Sequence, residues 1–165
     1  MRNLVAVTKE CMHELDNIGI KYGNIVAIKP NTRAHKRWGQ CKMVPNGYEI
    51  NINIDLLDER NSENGLKNTI IHELLHSCDG CMNHGEKWKN MADLVNYHYG
   101  YNIKRTSSEQ EKGIVYSRDE ENIYPDYVLK CTKCGAIWHR QRKVKFVVHP
   151  ENFRCSCGGE IIRIK

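Results

Sequence analysis

The feature that most constrains this chain is the pentapeptide His72-Glu73-Leu74-Leu75-His76. Residues four apart share one face of a helix, so the two histidine rings can converge on one metal ion. Glu73 lies beside them, close enough to act on a metal-bound water. The residues that cluster on the opposite side are apolar, namely Ile70, Ile71, Leu74, Leu75 and Cys78. The pattern predicts a helix whose histidines face a cleft and whose apolar stripe faces a core.

A third metal ligand is expected shortly after this helix. Catalytic zinc takes three protein ligands and leaves one position open for water. The pattern HExxHxxGxxH would put the third histidine at Met82, so this chain does not follow it. Asp79-Gly80 predicts the end of the helix, and His84-Gly85 begins a second one that can fold back over the first. We therefore expect His84 to be the third ligand, with Glu86 as the thermolysin-like alternative.

Together with other elements, this stretch resembles the SprT-like (Spartan-related) zinc metalloproteases. The further elements are Trp38-Gly39-Gln40-Cys41, Ile50–Ile54, and Trp88 after His84-Gly85. The resemblance covers residues 1–100 and 126–165, because many bacterial members end in a zinc ribbon. It implies a zincin-like α+β fold and polypeptide substrates that are bound or crosslinked to DNA. It also implies these roles: zinc ligands His72, His76 and His84, and the general base Glu73.

The remaining patterns predict a small antiparallel sheet beside the HExxH helix. Residues 3–18 indicate a helix, and residues 25–28 indicate a strand. Pro45-Asn46-Gly47 is a strong turn signal, so residues 39–44 and 48–54 predict a hairpin. We expect the sheet to lie in a zincin domain of residues 1–101. A polar linker would follow at 102–125, with a short strand at 113–116, and a zinc ribbon at 126–165.

Four cysteines near the C-terminus predict the ribbon. Cys131-x2-Cys134 and Cys155-x-Cys157 are each followed by glycine, and four thiolates can close a tetrahedral structural zinc site. A segment this short buries too little apolar surface to fold alone, so the metal would supply folding free energy. The second pair is spaced more tightly than usual, and His139 or His149 replacing one thiolate is an alternative. A metal-free reduced tail or a disulfide pair is another.

Charge is divided unevenly between the two parts of the chain. Residues 127–165 hold 9 Lys+Arg and 2 Asp+Glu, whereas residues 1–126 carry a net charge of −2. Cations neutralise phosphates and aromatic rings stack on exposed bases, so we expect sequence-independent DNA binding by the ribbon. The expected contact residues are Lys130, Lys133, Trp138, Arg140, Arg142, Lys143 and Lys145. The alternatives are a solvated basic hairpin and a patch for an acidic protein partner.

Other features fix the broad class. A mean hydropathy of −0.64 predicts a soluble protein, and the sequence has no run of about 18 apolar residues, so we expect no membrane partner. We also expect a monomer, and the absence of a signal-like N-terminus predicts a cytoplasmic location. In a cytoplasmic chain, Cys78-x2-Cys81 is read as packing rather than as a metal or redox pair. Candidates for the oxyanion donor are Tyr97, His98, Tyr99 and Tyr101.

The predicted function is zinc-dependent peptide hydrolysis with one catalytic and one structural Zn²⁺. One alternative is a non-catalytic zinc-ribbon DNA-binding protein in which the HExxH site is only structural. Another is a zinc hydrolase that acts on small amides or nucleic acid, because a fold alone does not fix the substrate.

Overall fold

The computed structural model describes residues 1–34, 36–117 and 127–165. The chain divides into two compact units, Met1–Ser117 and Arg118–Lys165. The elements of the first unit are α1 (Leu4–Asn17), β1 (Ile25–Asn31), β2 (Gly39–Val44), β3 (Gly47–Asn53), α2 (Glu63–His76) and α3 (Glu86–Tyr99). Those of the second are β4 (Tyr127–Cys131), β5 (Ile137–Arg140), α4 (Lys145–Val148) and β6 (Ile161–Arg163). The predicted α+β class is confirmed.

The sheet of the first unit has three strands in the order β1-β3-β2. β2 and β3 form the predicted antiparallel hairpin, in which Val44 pairs with Gly47. β1 runs parallel to β3, so the sheet is mixed rather than wholly antiparallel. Whether β1 pairs in parallel or antiparallel depends on which strand lies next to it, and the residue pattern at 25–28 does not reveal that partner. The order makes β2 an edge strand among the described strands, and β2 lies against α2 together with the central strand β3.

The HExxH helix α2 lies at the centre of the first unit. It contacts α1, α3 and the sheet, and the apolar residues it presents to them are fully buried. Those residues are Leu66, Ile70, Ile71, Leu74 and Leu75. Close packing of these side chains fixes the rotation of the helix, since each would lose roughly 2–5 kcal/mol on truncation to alanine. The buried stripe thereby sets the direction in which His72 and Glu73 point.

Residues 102–117 pack on the first unit and are not a free linker. Ile103 and Ser117 are buried, and the compact unit continues to Ser117, past the predicted boundary at residue 101. The short strand predicted at 113–116 is wrong. The N–H groups of Val115 and Tyr116 donate instead to the side-chain oxygen Oδ1 of Asn61, at 2.8 and 2.7 Å. Residues 118–126, which include the rest of the predicted linker, lie outside the described residues, as does residue 35.

The second unit is a small antiparallel sheet with strand order β5-β4-β6. Its core consists of few buried side chains, namely Leu129, Cys131, Val147, Cys155 and Ile161. Two of these five are cysteines whose thiols belong to the predicted metal site. A core of this size does not stabilise an independent domain without a further crosslink or metal.

Candidate metal centre and catalytic cleft

Three imidazoles converge at the end of α2. His72 and His76 lie one turn apart on that helix, and His84 comes from the loop before α3. The three Nε2 atoms lie 3.0, 3.1 and 3.2 Å from one another. Tetrahedral zinc with Zn–N bonds of 2.0–2.1 Å would hold its nitrogens about 3.3 Å apart. The spacing and the donor set therefore fit zinc, whereas Glu86 is exposed and outside this cluster.

The tautomer of His76 is fixed by a backbone carbonyl. Its Nδ1 lies 2.8 Å from the carbonyl oxygen of Cys81, which can only accept a hydrogen bond. Nδ1 must therefore carry the proton, and Nε2 presents a lone pair to the metal position. Cys81 is held by its own N–H, which donates to the Cys78 carbonyl at 3.0 Å. Both thiols are buried among core residues, which agrees with the packing interpretation of this pair. No residue pattern in the sequence indicates the contact with the Cys81 carbonyl, because a backbone group makes it.

The Trp88 ring packs against all three imidazoles of the cluster. Its side chain is 1% exposed, and its ring centroid lies 4.8, 5.6 and 4.6 Å from those of His72, His76 and His84. Burial is the main cause that lowers the pKa of each imidazole, and for His72 it lowers the pKa to about 3. The neighbouring imidazoles lower the pKa values of His72 and His84 further. All three rings are neutral at pH 7, which is the form that binds a metal.

Glu73 is buried against the edge strand β2. The residue is 6% exposed, and burial raises the pKa of its carboxyl group to about 7, against the opposing effects of the Cys41 N–H, Lys112 and Arg37. A Cβ on Gly39 would lie 2.7 Å from Glu73 Cγ and 2.9 Å from Cδ. Contacts that short do not occur, so glycine is required for the strand to approach the carboxylate. This explains the glycine of the Trp38-Gly39-Gln40-Cys41 element.

A cavity of about 350 Å³ opens beside His72 and Glu73. Its lining includes five cationic side chains, namely Lys36, Arg37, Lys104, Arg105 and Lys112. Among the described residues of that lining, Glu73 is the only carboxylate. The cavity thus combines a general-base candidate with a strongly positive wall. Sequence reasoning missed these cations because they come from the polar connection before β2 and from the supposed linker after α3.

The predicted oxyanion donors do not line this cavity. Tyr97 is 85% exposed, and His98 is exposed next to it. The hydroxyl of Tyr99 donates to the Glu14 carbonyl at 2.8 Å, and that of Tyr101 donates to the Glu14 carboxylate. These two hydroxyls join α1 to the end of α3. They have a structural role there, away from Glu73.

The four C-terminal cysteines form the second cluster. The sulfur atoms lie within 4.8 Å of one another, with Cys131 3.6 Å from Cys157 and Cys134 3.5 Å from Cys155. Tetrahedral zinc with Zn–S bonds near 2.3 Å separates its sulfurs by about 3.8 Å, so the donor set fits zinc. Backbone N–H groups of Cys134 and Lys133 point at Cys131 and lower its pKa to about 6. The tighter second pair is accommodated without a histidine, because His139 and His149 are exposed and outside the cluster.

The ribbon cations are exposed to solvent, as binding to phosphates requires. Lys130, Lys133, Arg140, Arg142, Lys143 and Lys145 are all exposed. Trp138 is half-buried instead, since its ring packs edge-on against Phe146 with centroids 5.8 Å apart. The guanidinium of Arg140 lies 5.4 Å from the centre of the same Phe146 ring. Trp138, which is predicted to bind DNA, thus also packs against the core of the second unit.

Comparison with known proteins agrees with this geometry. A search of curated proteins gave no match, and no described helix is long and apolar enough to cross a membrane. The SprT-like family model matches residues 8–107, which include the edge strand, the HExxH helix and His84. The C-terminal cysteine cluster lies beyond that match and fits a zinc ribbon. The chain therefore belongs to the SprT-like family.

Proposed function

We propose that this protein is a zinc-dependent metallopeptidase that acts as a monomer on proteins bound or crosslinked to DNA. One observation carries the proposal. Three neutral imidazoles direct their Nε2 atoms to a common point beside a buried glutamate and an open cavity. A structural site would close its coordination with a fourth protein ligand, and among the described residues the cluster contains three.

The roles of the residues follow from their positions. His72, His76 and His84 would hold the zinc, which when bound lowers the pKa of water towards about 7 and polarises a carbonyl. Glu73 takes a proton from the attacking water as the water oxygen bonds to the scissile carbonyl carbon. When the C–N bond breaks, Glu73 returns that proton to the leaving amine. The raised pKa of Glu73 suits a group that must both accept and release a proton near pH 7.

The edge strand β2 supports a polypeptide substrate. Among the described strands it pairs only with β3, so one side of it is available for an added strand. An extended peptide bound there would run alongside the strand that contacts α2 and Glu73. Main-chain hydrogen bonds of this kind recognise a peptide with little dependence on its sequence.

The ribbon supports a DNA-linked substrate. We propose that Cys131, Cys134, Cys155 and Cys157 bind a structural zinc. The exposed cations around that zinc would contact phosphates without reading sequence. Substrates already on DNA would then be presented to the peptidase unit at a raised local concentration.

The test is cleavage of an unstructured DNA-binding protein by the zinc-loaded full chain. Wild type and Glu73→Gln are compared with and without single-stranded DNA, at zinc contents matched by mass spectrometry. We expect cleavage by wild type alone, and an increase with DNA. If zinc fills both sites and neither protein cleaves in any lane, the non-catalytic DNA-binding alternative replaces the proposal. Turnover of small amides or nucleic acid but not of polypeptide would favour the other alternative.

A further inference from the structure

Peptide hydrolysis needs a donor for the negative charge that develops on the scissile carbonyl oxygen. The tyrosines near the end of α3 do not line the catalytic cavity, but Lys112 does, together with His72 and Glu73. Lys112 lies beyond the residues matched by the family model. Lys112 belongs to segment 108–117, which follows α3 in the chain.

Segment 108–117 is held against the first half of α2. The N–H of Ser62 donates to the Gly113 carbonyl at 3.0 Å, just before the helix begins. One turn into the helix, the Lys112 carbonyl approaches Gly65 so closely that no Cβ would fit there. The Asn61 side chain accepts hydrogen bonds from the backbone N–H groups of Val115 and Tyr116, at 2.8 and 2.7 Å. These contacts hold the Lys112 backbone beside α2.

The side chain of Lys112 is also held in place. Its Nζ donates to Thr69 Oγ1 at 2.8 Å, and that hydroxyl donates its own proton to the Gly65 carbonyl at 2.8 Å. Thr69 precedes His72 by three residues and Glu73 by four, so all three share one face of α2. The ammonium group has three N–H donors and uses one on Thr69, which leaves two for a substrate. By contrast, Lys104 is paired with Glu111.

We propose that Lys112 is a catalytic residue whose ammonium group donates a hydrogen bond to the oxyanion of the hydrolysed peptide. The proposal rests on the proposed peptidase function. As the water oxygen bonds to the carbonyl carbon, the C=O π electrons move onto the carbonyl oxygen, and Glu73 holds the water proton. Lys112 stabilises the negative oxygen and keeps its own proton. When the C=O bond re-forms, the C–N bond breaks and the amine takes the proton from Glu73.

The kinetic test compares Lys112→Met, which keeps the length but removes the donors, with Lys112→Arg, which keeps a cation. Loss of one oxyanion donor lowers kcat by about 100- to 1,000-fold in other hydrolases. We expect Lys112→Met to lower kcat by about 100-fold with little change in KM, and Lys112→Arg to recover part of that loss. Lys89→Met is the control, since Lys89 is exposed on α3 and does not line the cavity. If Lys112→Met loses zinc or folds poorly, Lys112→Leu, which also lacks donors, replaces it.

A binding measurement separates this proposal from the proposed function. A phosphinic peptide places an anionic tetrahedral oxygen where the oxyanion would form, and its affinity is measured by calorimetry. We expect Lys112→Met to bind it about 100-fold more weakly, while an uncleaved peptide binds Glu73→Gln equally well with or without the Lys112 change. An active wild type with unchanged kcat and phosphinate affinity in Lys112→Met would overturn the Lys112 proposal alone. If wild type neither cleaves peptides nor binds the phosphinate, both proposals fail.

Discussion

The substitution Gly39→Ala tests how closely β2 must approach the general base. The new methyl group would lie 2.7 Å from Glu73 Cγ, which is 0.7 Å inside the 3.4 Å at which ordinary contacts begin, and a carboxylate oxygen is nearer still. The carboxylate must therefore move by about 1 Å, away from the Cys41 N–H that contacts it. Misplacing a reacting group by that distance costs about 100-fold in rate.

The assay for Gly39→Ala is kcat on a peptide substrate, alongside zinc content and thermal stability. We expect kcat to fall by about 100-fold while zinc content is unchanged, because the three atoms nearest the new methyl group all belong to Glu73 and not to a histidine. Met43→Ala is the matched control, since Met43 is exposed on the same strand. A Gly39→Ala protein with zinc bound and wild-type kcat would refute the contact between β2 and Glu73 as a requirement for activity.

Three further predictions concern the metal sites and the ribbon. The pKa of His72 is depressed to about 3 in the folded chain, so metal-free protein should lose stability as pH falls from 6.5 towards 3. Urea unfolding should show that His72 lowers the free energy of unfolding by about 2 kcal/mol at pH 5, and this loss should be smaller in His72→Gln. A urea midpoint that does not change with pH would contradict the prediction. Cys157→Ser should lower the zinc content from two ions per chain to one and leave DNA-independent peptide cleavage intact, so retention of both ions would remove Cys157 from the ligand set. Replacing Arg142 and Lys143 by alanine should reduce the slope of log Kd for DNA against log salt concentration by about 2, and Lys9→Ala is the control. An unchanged slope would exclude both residues from contact with phosphates.

Local patterns predicted the parts of the site that depend on local geometry. The i and i+4 spacing of His72 and His76 and the turn at residues 79–80 were enough to predict the two helices and the third histidine of the cluster, which lies between them. The hairpin was predictable because its turn and its alternating isoleucines are contiguous in sequence. The cysteine spacing likewise indicated the ribbon cluster.

The contacts that complete the site depend on long-range packing. Lys112 reaches the cavity only because Gly65 and Gly113 let a polar segment lie against α2, and that segment has no apolar periodicity to reveal it. The Cys81 carbonyl that orients His76 is a backbone group, which no residue pattern reports. Trp88 shows helical spacing in the sequence, but nothing there indicates that it packs against all three histidines. The parallel direction of β1 is missed for the same reason.

The central claim is that three imidazoles and Glu73 form a hydrolytic centre. Its most direct test is the turnover of a quenched-fluorescence peptide by wild type and by Glu73→Gln, at equal, directly measured zinc content. We expect Glu73→Gln to keep both zinc ions and its fold and to lose turnover by at least about 100-fold. Equal turnover by the two proteins at matched zinc would contradict it.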